Sequence, residues 1–422
     1  MKLQRILTRL QKLHPREIDL SLNRINKLVN KLGNPQDNIN CIQVCGTNGK
    51  FSTISFLRAI LKEANYKCNI YTSPHVKKIN ERFIYNDREI EDNELANLLE
   101  DVEKVNNGDP ITFFEILTAA FFYGCKKYKQ NLTICEFGLF ARYDAVNILK
   151  KNLANIVTSC SLDHLDWLPE GQRNIEKIVF EKTSRLLNSN IIIAKQPSKE
   201  ITKYIKKNLA GNSAKKFFFN EHYSYSLNEN NFFYYQDQYG ELKLPLPNIL
   251  GEFQIENLST AISTLRVLNH LNIDNEHIKL GITKVKSIAR LQEIKNGKIK
   301  NLCKNNRIFC DGSHNPDGAR VLNNFLDSLK CRKHIIIGMM NNKDHITYMS
   351  YFKNISSLTT IDIPNQTNCI KGDALKKKLS NFPEVKYKLS IQDAIKSLDL
   401  LENDIVLITG SLYLAGEVLN LN

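Results

Sequence analysis

The sequence has 422 residues, of which 42% are hydrophobic and 24% are charged, and its formal net charge is +14 at pH 7. This length predicts two domains, because a single hydrophobic core stops growing at about 250–300 residues. The absence of a run of about 18 apolar residues argues against a membrane-spanning helix. The N-terminal stretch also lacks the apolar segment and small-residue cleavage site of a secretory signal.

The positive charge and the cysteines narrow the class of protein further. The basic excess suits a nucleic acid or an acidic small substrate, or it reflects a coding bias toward Lys, Asn and Ile. Aromatic residues are not interleaved with the basic ones, so we expect no nucleic-acid partner. The ten cysteines are scattered without a C-x-x-C pair, which predicts reduced thiols in a cytoplasmic protein rather than disulfides or a zinc site.

The first two-thirds of the chain alternates between strand and helix patterns. Apolar spacing predicts helical structure over residues 3–32, ended by "GNP". The strands predicted next are 39–45, 67–72, 132–137, 156–159 and 191–194, and the helices are 53–64, 92–105 and 113–128. This alternation predicts a mostly parallel sheet covered by helices, which binds ligands at the carboxyl ends of its strands.

The rest of the chain first departs from this strand–helix alternation and later returns to it. Residues 215–245 alternate aromatic residues with Asn-rich turns, which predicts antiparallel hairpins before a helix at 252–269. The polar stretch 295–306 is interpreted as part of a join, and strand–helix alternation resumes after it. We therefore predict an α/β protein with a larger P-loop-type domain of mostly parallel sheet (residues 1–294) and a smaller, Rossmann-like C-terminal α/β domain (residues 295–422).

The stretch "VCGTNGKFSTISF", residues 44–56, has the order strand, glycine loop with lysine, helix. That order is typical of phosphate binding by backbone amides, a helix N-terminus and a lysine. It departs from a Walker loop in two ways. Only Thr47 and Asn48 separate Gly46 from Gly49, and Phe51 occupies the place of the magnesium-binding Ser or Thr after Lys50.

Polar residues at three other predicted strand ends suit a metal–nucleotide site. Ser73 lies in "YTSPHV", Glu136 in "TICEFGL", and Asp163 and His164 in "VTSCSLDHLDW". A hydroxyl, a carboxylate and an imidazole form a plausible magnesium set, although His is an unusual ligand for so hard a cation. Each also has a structural explanation: Ser73 opens a turn, Glu136 caps a helix, and His164 is a buried histidine with satisfied hydrogen bonds.

The sequence resembles the folylpolyglutamate synthase/dihydrofolate synthase family of the Mur ligase superfamily over nearly its whole length. The motifs that carry the resemblance occur in the family's order: "HPREIDLSLNRI", "GTNGK", "YTSPHVKKINERF", "ITFFE", "EFGLFARYDAVN", "LDHLDWL", "FEKTSRL", "GEFQIENLSTAI", "ARLQEI", "DGSHNPDGA" and "GSLYLAGEV". In this family the residue after the loop lysine is glycine, and magnesium is held by residues that match Ser73, Glu136 and His164. Phe51 therefore removes no metal ligand.

The resemblance also implies the other site residues. ATP and Mg²⁺ are the implied cofactors, and the residues expected to bind ATP, in a cleft between the domains, are Gly46, Thr47, Asn48, Gly49, Lys50, Phe51, Ser52, Asn257, Arg290, Asp311 and His314. The residues expected to bind the pterin substrate are Asp19, Leu20, Ser21, Leu22, Thr112, Phe113, Phe114, Glu115, Tyr143, Asp144 and Ala145. The expected catalytic residues are Lys50, His164 and Lys182. Lys182 matches the lysine that the family modifies to a carbamate, although "EKTSR" departs from the usual "EKAGI".

The implied activity is ATP-dependent addition of L-glutamate to dihydropteroate, reduced folates or both, through an acyl phosphate and with release of ADP. The "R-x-D-A-x-N" segment around Asp144 resembles members that accept dihydropteroate as well as folates, and so favours a bifunctional enzyme. We expect this enzyme to be a monomer. One alternative is a folylpolyglutamate synthase only. Another is a catalytically impaired nucleotide-binding homologue, because family glycines are replaced at Phe51, Phe140 and Ala141. A cell-wall Mur ligase shares the phosphate loop, but "TSPH" and "DGSHNP" favour folates.

Overall fold

The structure, a computed structural model, describes residues 2–16, 19–228, 232–382 and 384–422. Contacts divide the chain into two compact units. The first unit comprises Met1–His164, Leu168–Asn248 and Ile255–Val285, and the second comprises Leu165–Trp167, Ile249–Gln254 and Lys286–Asn422. None of the described helices is both long and apolar enough to cross a membrane.

The first unit is built on an eight-stranded sheet and a separate three-stranded sheet. The strands of the large sheet are β1 Asn40–Cys45, β2 Cys68–Tyr71, β3 Phe83–Tyr85, β4 Arg88–Glu89, β5 Leu132–Glu136, β6 Ala154–Val157, β7 Asn190–Ile193 and β8 Lys216–Phe218. Those of the small sheet are β9 Tyr223–Leu227, β10 Phe232–Asp237 and β11 Gly240–Pro245. The helices are α1 Lys2–Leu10, α2 Asn23–Lys31, α3 Lys50–Glu63, α4 Asp92–Asn106, α5 Phe113–Cys125, α6 Ile175–Thr183, α7 Lys199–Asn208, α8 Glu252–Val267, whose first turn falls in the second unit, and α9 Asn275–Lys284.

The large sheet has the order β4-β3-β2-β5-β1-β6-β7-β8. The pairs from β2 to β8 are parallel, and β3 and β4 form an antiparallel edge. The central strands β2, β5 and β6 are buried along their whole length, as expected for parallel strands covered on both faces. The carboxyl ends of β1, β5 and β6 therefore meet at one edge of the sheet.

The second unit contains a six-stranded sheet of order β12-β13-β17-β14-β15-β16. Only β12 runs antiparallel to its neighbour in this sheet of the described chain. Its strands are β12 Gln292–Glu293, β13 Arg307–Cys310, β14 Lys333–Ile337, β15 Ser357–Ile361, β16 Val385–Lys388 and β17 Ile405–Thr409. Its helices are α10 Lys298–Leu302, α11 Pro316–Asp327, α12 His345–Ser350, α13 Gly372–Lys378, α14 Ile391–Lys396 and α15 Leu412–Leu421. Both α/β units of the predicted fold class are thus confirmed.

The structure differs from the sequence-based prediction at two places. Residues 3–32 do not form continuous helical structure, because α1 ends at Leu10 and α2 begins at Asn23. Pro15 explains the interruption, since proline has no amide hydrogen and disfavours helix in the residue before it. In 215–245, β8 pairs parallel with β7 at the edge of the large sheet, and only the later strands form the predicted antiparallel hairpins.

Close packing between α3 and α9 fixes the helix that follows the phosphate loop. A Cβ added to Gly281 of α9 would lie 2.6 Å from Ile60 Cα and 2.8 Å from Ile60 N. Both atoms belong to the backbone of α3, so neither can move without shifting that helix. Glycine is therefore required at this contact.

We expect Gly281→Ala to destabilise the protein by about 1–3 kcal/mol, because overpacking outweighs the gain of about 0.5–1 kcal/mol that alanine gives inside a helix. Gly171→Ala is the matched control, since a Cβ there meets nothing within 4 Å. Urea unfolding followed by circular dichroism measures both variants. Equal midpoints for the two would contradict the close-packing argument.

Candidate active site

The phosphate loop connects β1 to α3 and is fixed by close contact with the segment that follows β6. Gly46 has φ +136°, and a Cβ there would lie 2.0 Å from Thr158 Oγ1. Gly49 has φ +88°. The amides of Thr47 and Asn48 both donate to Ser159 O, at 2.8 and 3.1 Å. Only glycine permits this combination of positive φ and close approach.

Lys50 begins α3 and folds back over the loop. Its Nζ donates to Gly46 O at 3.2 Å and to Thr47 O at 3.3 Å, and lies 3.8 Å from Glu136 Oε1. The first turn of α3 contains no acidic residue, so the positive end of the helix dipole is not neutralised locally. The loop, the helix end and the lysine together form an anion-binding arrangement.

Asn257 of α8 packs against the same loop. A Cβ at Gly49 would lie 2.3 Å from Asn257 Oδ1, so this predicted ATP-binding residue is close to the loop glycine. Phe51 is half-buried and Ser52 is buried in the first turn of α3. The structure therefore brings the predicted ATP residues of the first unit together.

Two of the three predicted metal ligands are adjacent. Glu136 ends β5, is 5% exposed, and its Oε2 accepts from the Ser73 amide at 3.1 Å. The Ser73 hydroxyl is buried and has no hydrogen-bond partner among the residues that the structure describes. A buried hydroxyl without a partner beside a buried carboxylate suits a hard cation that prefers oxygen ligands. These residues therefore fit the implied magnesium ion.

His164 is the third predicted ligand, and it adopts the left-handed conformation with φ +58°. Its amide donates to Asp163 Oδ1 at 2.8 Å, and its ring lies edge-on to Phe140 with 6.4 Å between centroids. No group of three His, Cys, Asp or Glu side chains suited to a metal occurs in the described ranges. Ser73 and Glu136 are thus the pair whose proximity the structure demonstrates.

Lys182 of α6 lies behind the phosphate loop and is 1% exposed. Its Nζ donates to Gly46 O at 3.0 Å and to Leu139 O at 2.8 Å, and lies 5.5 Å from the centre of the Phe140 ring. Burial, followed by the charge of Lys50, lowers the pKa of Lys182 to about 8. Lys182 thereby links the phosphate loop to the loop that follows β5.

Asp144 organises that second loop. Its Oδ2 accepts from the amides of Gly138 and Leu139 at 2.9 and 3.2 Å, and its Oδ1 accepts from Val146 at 2.9 Å. Burial raises the pKa of Asp144 to about 6, although the three amides oppose the shift. The neighbouring Tyr143 lies beneath the Arg142 guanidinium at 4.8 Å, and Ala145 is buried.

The N-terminal segment and the start of α5 form a further cluster through Arg24. Its guanidinium donates to Asp19 Oδ2 at 2.6 Å, to Asp19 O at 2.8 Å and to Glu115 Oε2 at 2.9 Å. The same Glu115 oxygen accepts from the Thr112 amide at 2.8 Å. Glu115 Oε1 is buried and has no hydrogen-bond partner within the described ranges. Arg24 was not predicted as a site residue, because its only signal in the sequence is a basic residue shortly after Asp19 in a predicted substrate segment.

The rest of that predicted substrate set lies on either side of this cluster. Leu20, Ser21 and Leu22 are half-buried and precede α2, whereas Phe113 and Phe114 are half-buried in the first turn of α5. The quoted N-terminal motif also includes Glu17 and Ile18, which lie outside the described residues. The guanidinium of Arg24 thus brings Asp19 and Glu115 together, and Glu115 in turn accepts from the Thr112 amide.

Arg290, Asp311 and His314 belong to the second unit. Ala289 and Leu291, which flank Arg290, have φ +53° and +47°, a conformation that costs non-glycine residues about 1–3 kcal/mol. Asp311 stabilises this segment around Arg290. The carboxylate oxygens of Asp311 accept from the amides of Leu291 at 2.6 Å and Ser313 at 2.7 Å. Burial raises the pKa of Asp311, and the His314 ring contacts Gly312 O at 3.1 Å through Nδ1.

Comparison with known proteins identifies the family. The Mur ligase middle domain matches residues 44–265, and the Mur ligase glutamate ligase domain matches residues 293–412. The dihydrofolate synthase/folylpolyglutamate synthase of Bacillus subtilis (strain 168) is 27% identical, with 94% of each chain covered. The Escherichia coli (strain K12) enzyme of the same name is 28% identical, covering 83% of this chain and 79% of that one.

A solved structure gives the same result. The structure of E. coli FolC in complex with DHPP and ADP has a TM-score of 0.86 and 26% identity, covering 99% of this chain and 97% of that chain. Family models thus match both parts of the chain, and relatives and structure match it end to end. The chain belongs to the Mur ligase superfamily and, within it, to the folylpolyglutamate synthase/dihydrofolate synthase family.

Proposed function

We propose that this protein is an ADP-forming ligase that uses ATP to couple L-glutamate to dihydropteroate and to reduced folates. The observation that carries the proposal is the phosphate loop with Lys50 next to Glu136 and Ser73. Near-complete alignment with relatives named dihydrofolate synthase/folylpolyglutamate synthase supports the substrate class. The alternative is a folylpolyglutamate synthase that does not couple glutamate to dihydropteroate. A relative named folylpolyglutamate synthase, from Lacticaseibacillus casei, is 25% identical.

The chain's own residues account for the first chemical step. The substrate carboxylate attacks the γ-phosphate of ATP, which gives an acyl phosphate and ADP. Lys50 and the backbone amides at the N-terminus of α3 bind the phosphoryl oxygens and neutralise the charge that develops on them. Lys182 adds a second positive charge behind the same loop. The amine of glutamate then attacks the acyl carbon and releases phosphate.

Ser73, Glu136 and His164 are the residues proposed to hold magnesium, and the adjacent Ser73 and Glu136 support this proposal. A bound Mg²⁺ would offset the repulsion between the substrate carboxylate and the triphosphate. Asn257 on the phosphate loop side, and Arg290, Asp311 and His314 in the second unit, are the proposed contacts to the rest of ATP. The remaining predicted residues, from Asp19–Leu22, Thr112–Glu115 and Tyr143–Ala145, are proposed to bind the pterin.

The setting proposed for this reaction is the cytoplasm, with the enzyme as a monomer that binds no nucleic acid. All ten cysteines are free, and nine are buried, which suits a reducing compartment. Burial raises the pKa of Cys45 to about 12 and of Cys160 to about 11. These two thiols near the phosphate loop are therefore unreactive at neutral pH.

The decisive assay is glutamate-dependent phosphate release, first with dihydropteroate and then with a reduced folate. We expect release with both substrates. Lys50→Met, which removes the loop charge, should lower kcat by about 10²–10³-fold. No release with either substrate would overturn the ligase proposal, and release with the folate alone would remove the dihydrofolate synthase activity.

Ser73→Ala tests the metal site. Because the Ser73 hydroxyl has no partner in the described part of the chain, its removal should change the free energy of unfolding by less than about 0.5 kcal/mol. The Mg²⁺ concentration at half-maximal activity should nevertheless rise about 10–100-fold. Ser73→Thr, which retains a hydroxyl, is the control. An unchanged Mg²⁺ dependence in Ser73→Ala would show that the hydroxyl is not a ligand.

Arg24→Met tests the cluster at the predicted pterin segment. Loss of the guanidinium leaves the carboxylate of Glu115, which is 4% exposed, without its cation, and should destabilise the protein by about 2–3 kcal/mol. The KM for the pterin should rise while that for ATP stays constant. Arg5→Met is the control, because Arg5 is exposed on α1. Equal increases in both KM values would contradict a specific role at the pterin.

A further inference from the structure

Tyr348 is a buried residue of α12 whose hydroxyl group lies among polar atoms of two other segments. Its Oη is 2.8 Å from Ser313 Oγ, 2.8 Å from Thr409 Oγ1 and 3.3 Å from Ser313 O. Burial raises the pKa of Tyr348, so the phenol keeps its proton at neutral pH and can donate it as well as accept. The phenol therefore connects three neighbouring oxygen atoms.

This hydroxyl joins three separate elements of the second unit. Ser313 belongs to the loop between β13 and α11, Thr409 ends β17, and Tyr348 belongs to the helix that follows β14. Ser313 Oγ and Thr409 Oγ1 are 3.4 Å apart, which is longer than the usual hydroxyl hydrogen bond of about 2.7–2.8 Å. The phenol thus provides the shorter hydrogen bonds that hold the two strand ends together.

Ser313 is held through each of its polar groups. Its amide donates to Asp311 Oδ1 at 2.7 Å, and its carbonyl accepts from the Gly410 amide at 3.1 Å. Its hydroxyl is the group that contacts the phenol of Tyr348. Because His314 is the next residue in the chain, these contacts set the point from which the His314 side chain leaves the backbone.

The same loop holds the segment that carries Arg290. Asp311 Oδ2 accepts from the Leu291 amide at 2.6 Å, and the Gly312 amide donates to Ala289 O at 3.0 Å. Both residues that flank Arg290 have positive φ, a conformation that persists where the surrounding contacts determine it. A displacement of this loop would therefore move Arg290 as well as Asp311.

The ring and the hydroxyl of Tyr348 have separable roles. The ring packs against Phe352, with 5.5 Å between centroids, in the hydrophobic core of the second unit. A phenylalanine at this position can keep that contact. The hydroxyl is the part of the side chain that hydrogen-bonds to Ser313 and Thr409. Tyr348→Phe thus separates packing of the core from placement of the loop.

We propose that Tyr348 is a positioning residue for nucleotide binding, because its hydroxyl fixes the loop of Ser313 and thereby holds Asp311, His314 and Arg290 where they contact ATP. The inference rests on the proposed function for the assignment of these three residues to ATP. Tyr348 acts through Ser313, so its hydroxyl affects the affinity for the nucleotide. The predicted pterin segments belong to the first unit, and their affinity does not depend on it.

NMR of the whole protein with ¹³C-labelled histidine tests the placement of the loop without nucleotide or turnover. The His314 signal is identified by its absence from His314→Asn. We expect it to shift in Tyr348→Phe and to stay unchanged in Tyr351→Phe. Tyr351 follows the same helix and is half-buried, and its hydroxyl makes no hydrogen bond within the described ranges. The signals of His14 and His222, in the first unit, are internal references. A His314 signal that is identical in the wild type and Tyr348→Phe would overturn the proposal.

Calorimetric titration with AMPPNP and Mg²⁺ measures nucleotide affinity in the absence of pterin and glutamate. We expect Kd to rise about 3–10-fold in Tyr348→Phe, as for the loss of one buried hydrogen bond. Tyr351→Phe should remain within about twofold of the wild type. Equal Kd values for the wild type and Tyr348→Phe would contradict the positioning role. A protein that shows the expected difference in Kd but releases no phosphate would fail as a ligase and still confirm the role of Tyr348.

The double variant Tyr348→Phe/Ser313→Ala tests whether the phenol acts through the loop. Two groups that form one interaction have non-additive effects. We therefore expect the Kd for AMPPNP in the double variant to lie within about twofold of that of the weaker-binding single variant. Fold increases that multiply in the double variant would show independent roles and overturn the proposal.

Steady-state kinetics separates positioning from a general loss of structure. Tyr348→Phe should raise the KM for ATP about 3–10-fold and leave the KM for the pterin within about twofold. Circular dichroism confirms that the variant is folded. Equal increases in both KM values in a folded variant would show a general structural effect and would contradict the proposal.

Discussion

The site depends on the contact between Gly46 and Thr158, because that contact sets where the phosphate loop leaves β1. No side chain fits there, since a Cβ on Gly46 would lie 2.0 Å from Thr158 Oγ1. With the loop held this closely, two of its amides reach the carbonyl of Ser159. Lys50 and Lys182 then share the carbonyl of Gly46 as an acceptor. One close approach of the backbone thus locates both cations.

The charges around this loop are arranged to receive an anion. Lys50 and Lys182 bring two positive charges to the same carbonyl, while Glu136 is the carboxylate beside Lys50. Burial, followed by the charge of Lys50, lowers the pKa of Lys182. Buried charges of the same sign cost free energy unless a counter-charge binds. A phosphoryl group would supply that counter-charge, so binding it relieves repulsion that the folded protein already contains.

The sequence was informative where the pattern is local. Buried parallel strands appear as short apolar runs, and therefore the loop after Cys45 and the strand end at Glu136 could be predicted. Contacts between segments that are distant in the sequence could not be predicted. Arg24 and Glu115 are 91 positions apart, and no local pattern around either residue indicates that the two form a contact. The left-handed backbone at His164 and the interruption near Pro15 also depended on detail that periodicity does not encode.

The positions at which the family resemblance implies a replaced glycine differ from the loop positions at which this chain has glycine. Gly46 and Gly49 have positive φ and lie against neighbouring atoms, so the backbone needs glycine at both. Phe51, Phe140 and Ala141 are not among the described residues with positive φ. Replacement there changes the filled volume without straining the backbone. If the site were losing its function through unselected substitutions, glycines with positive φ would be replaced as readily as glycines without it. The pattern therefore favours a site whose space is rearranged, with Phe140 packed over Lys182, above a site in decay.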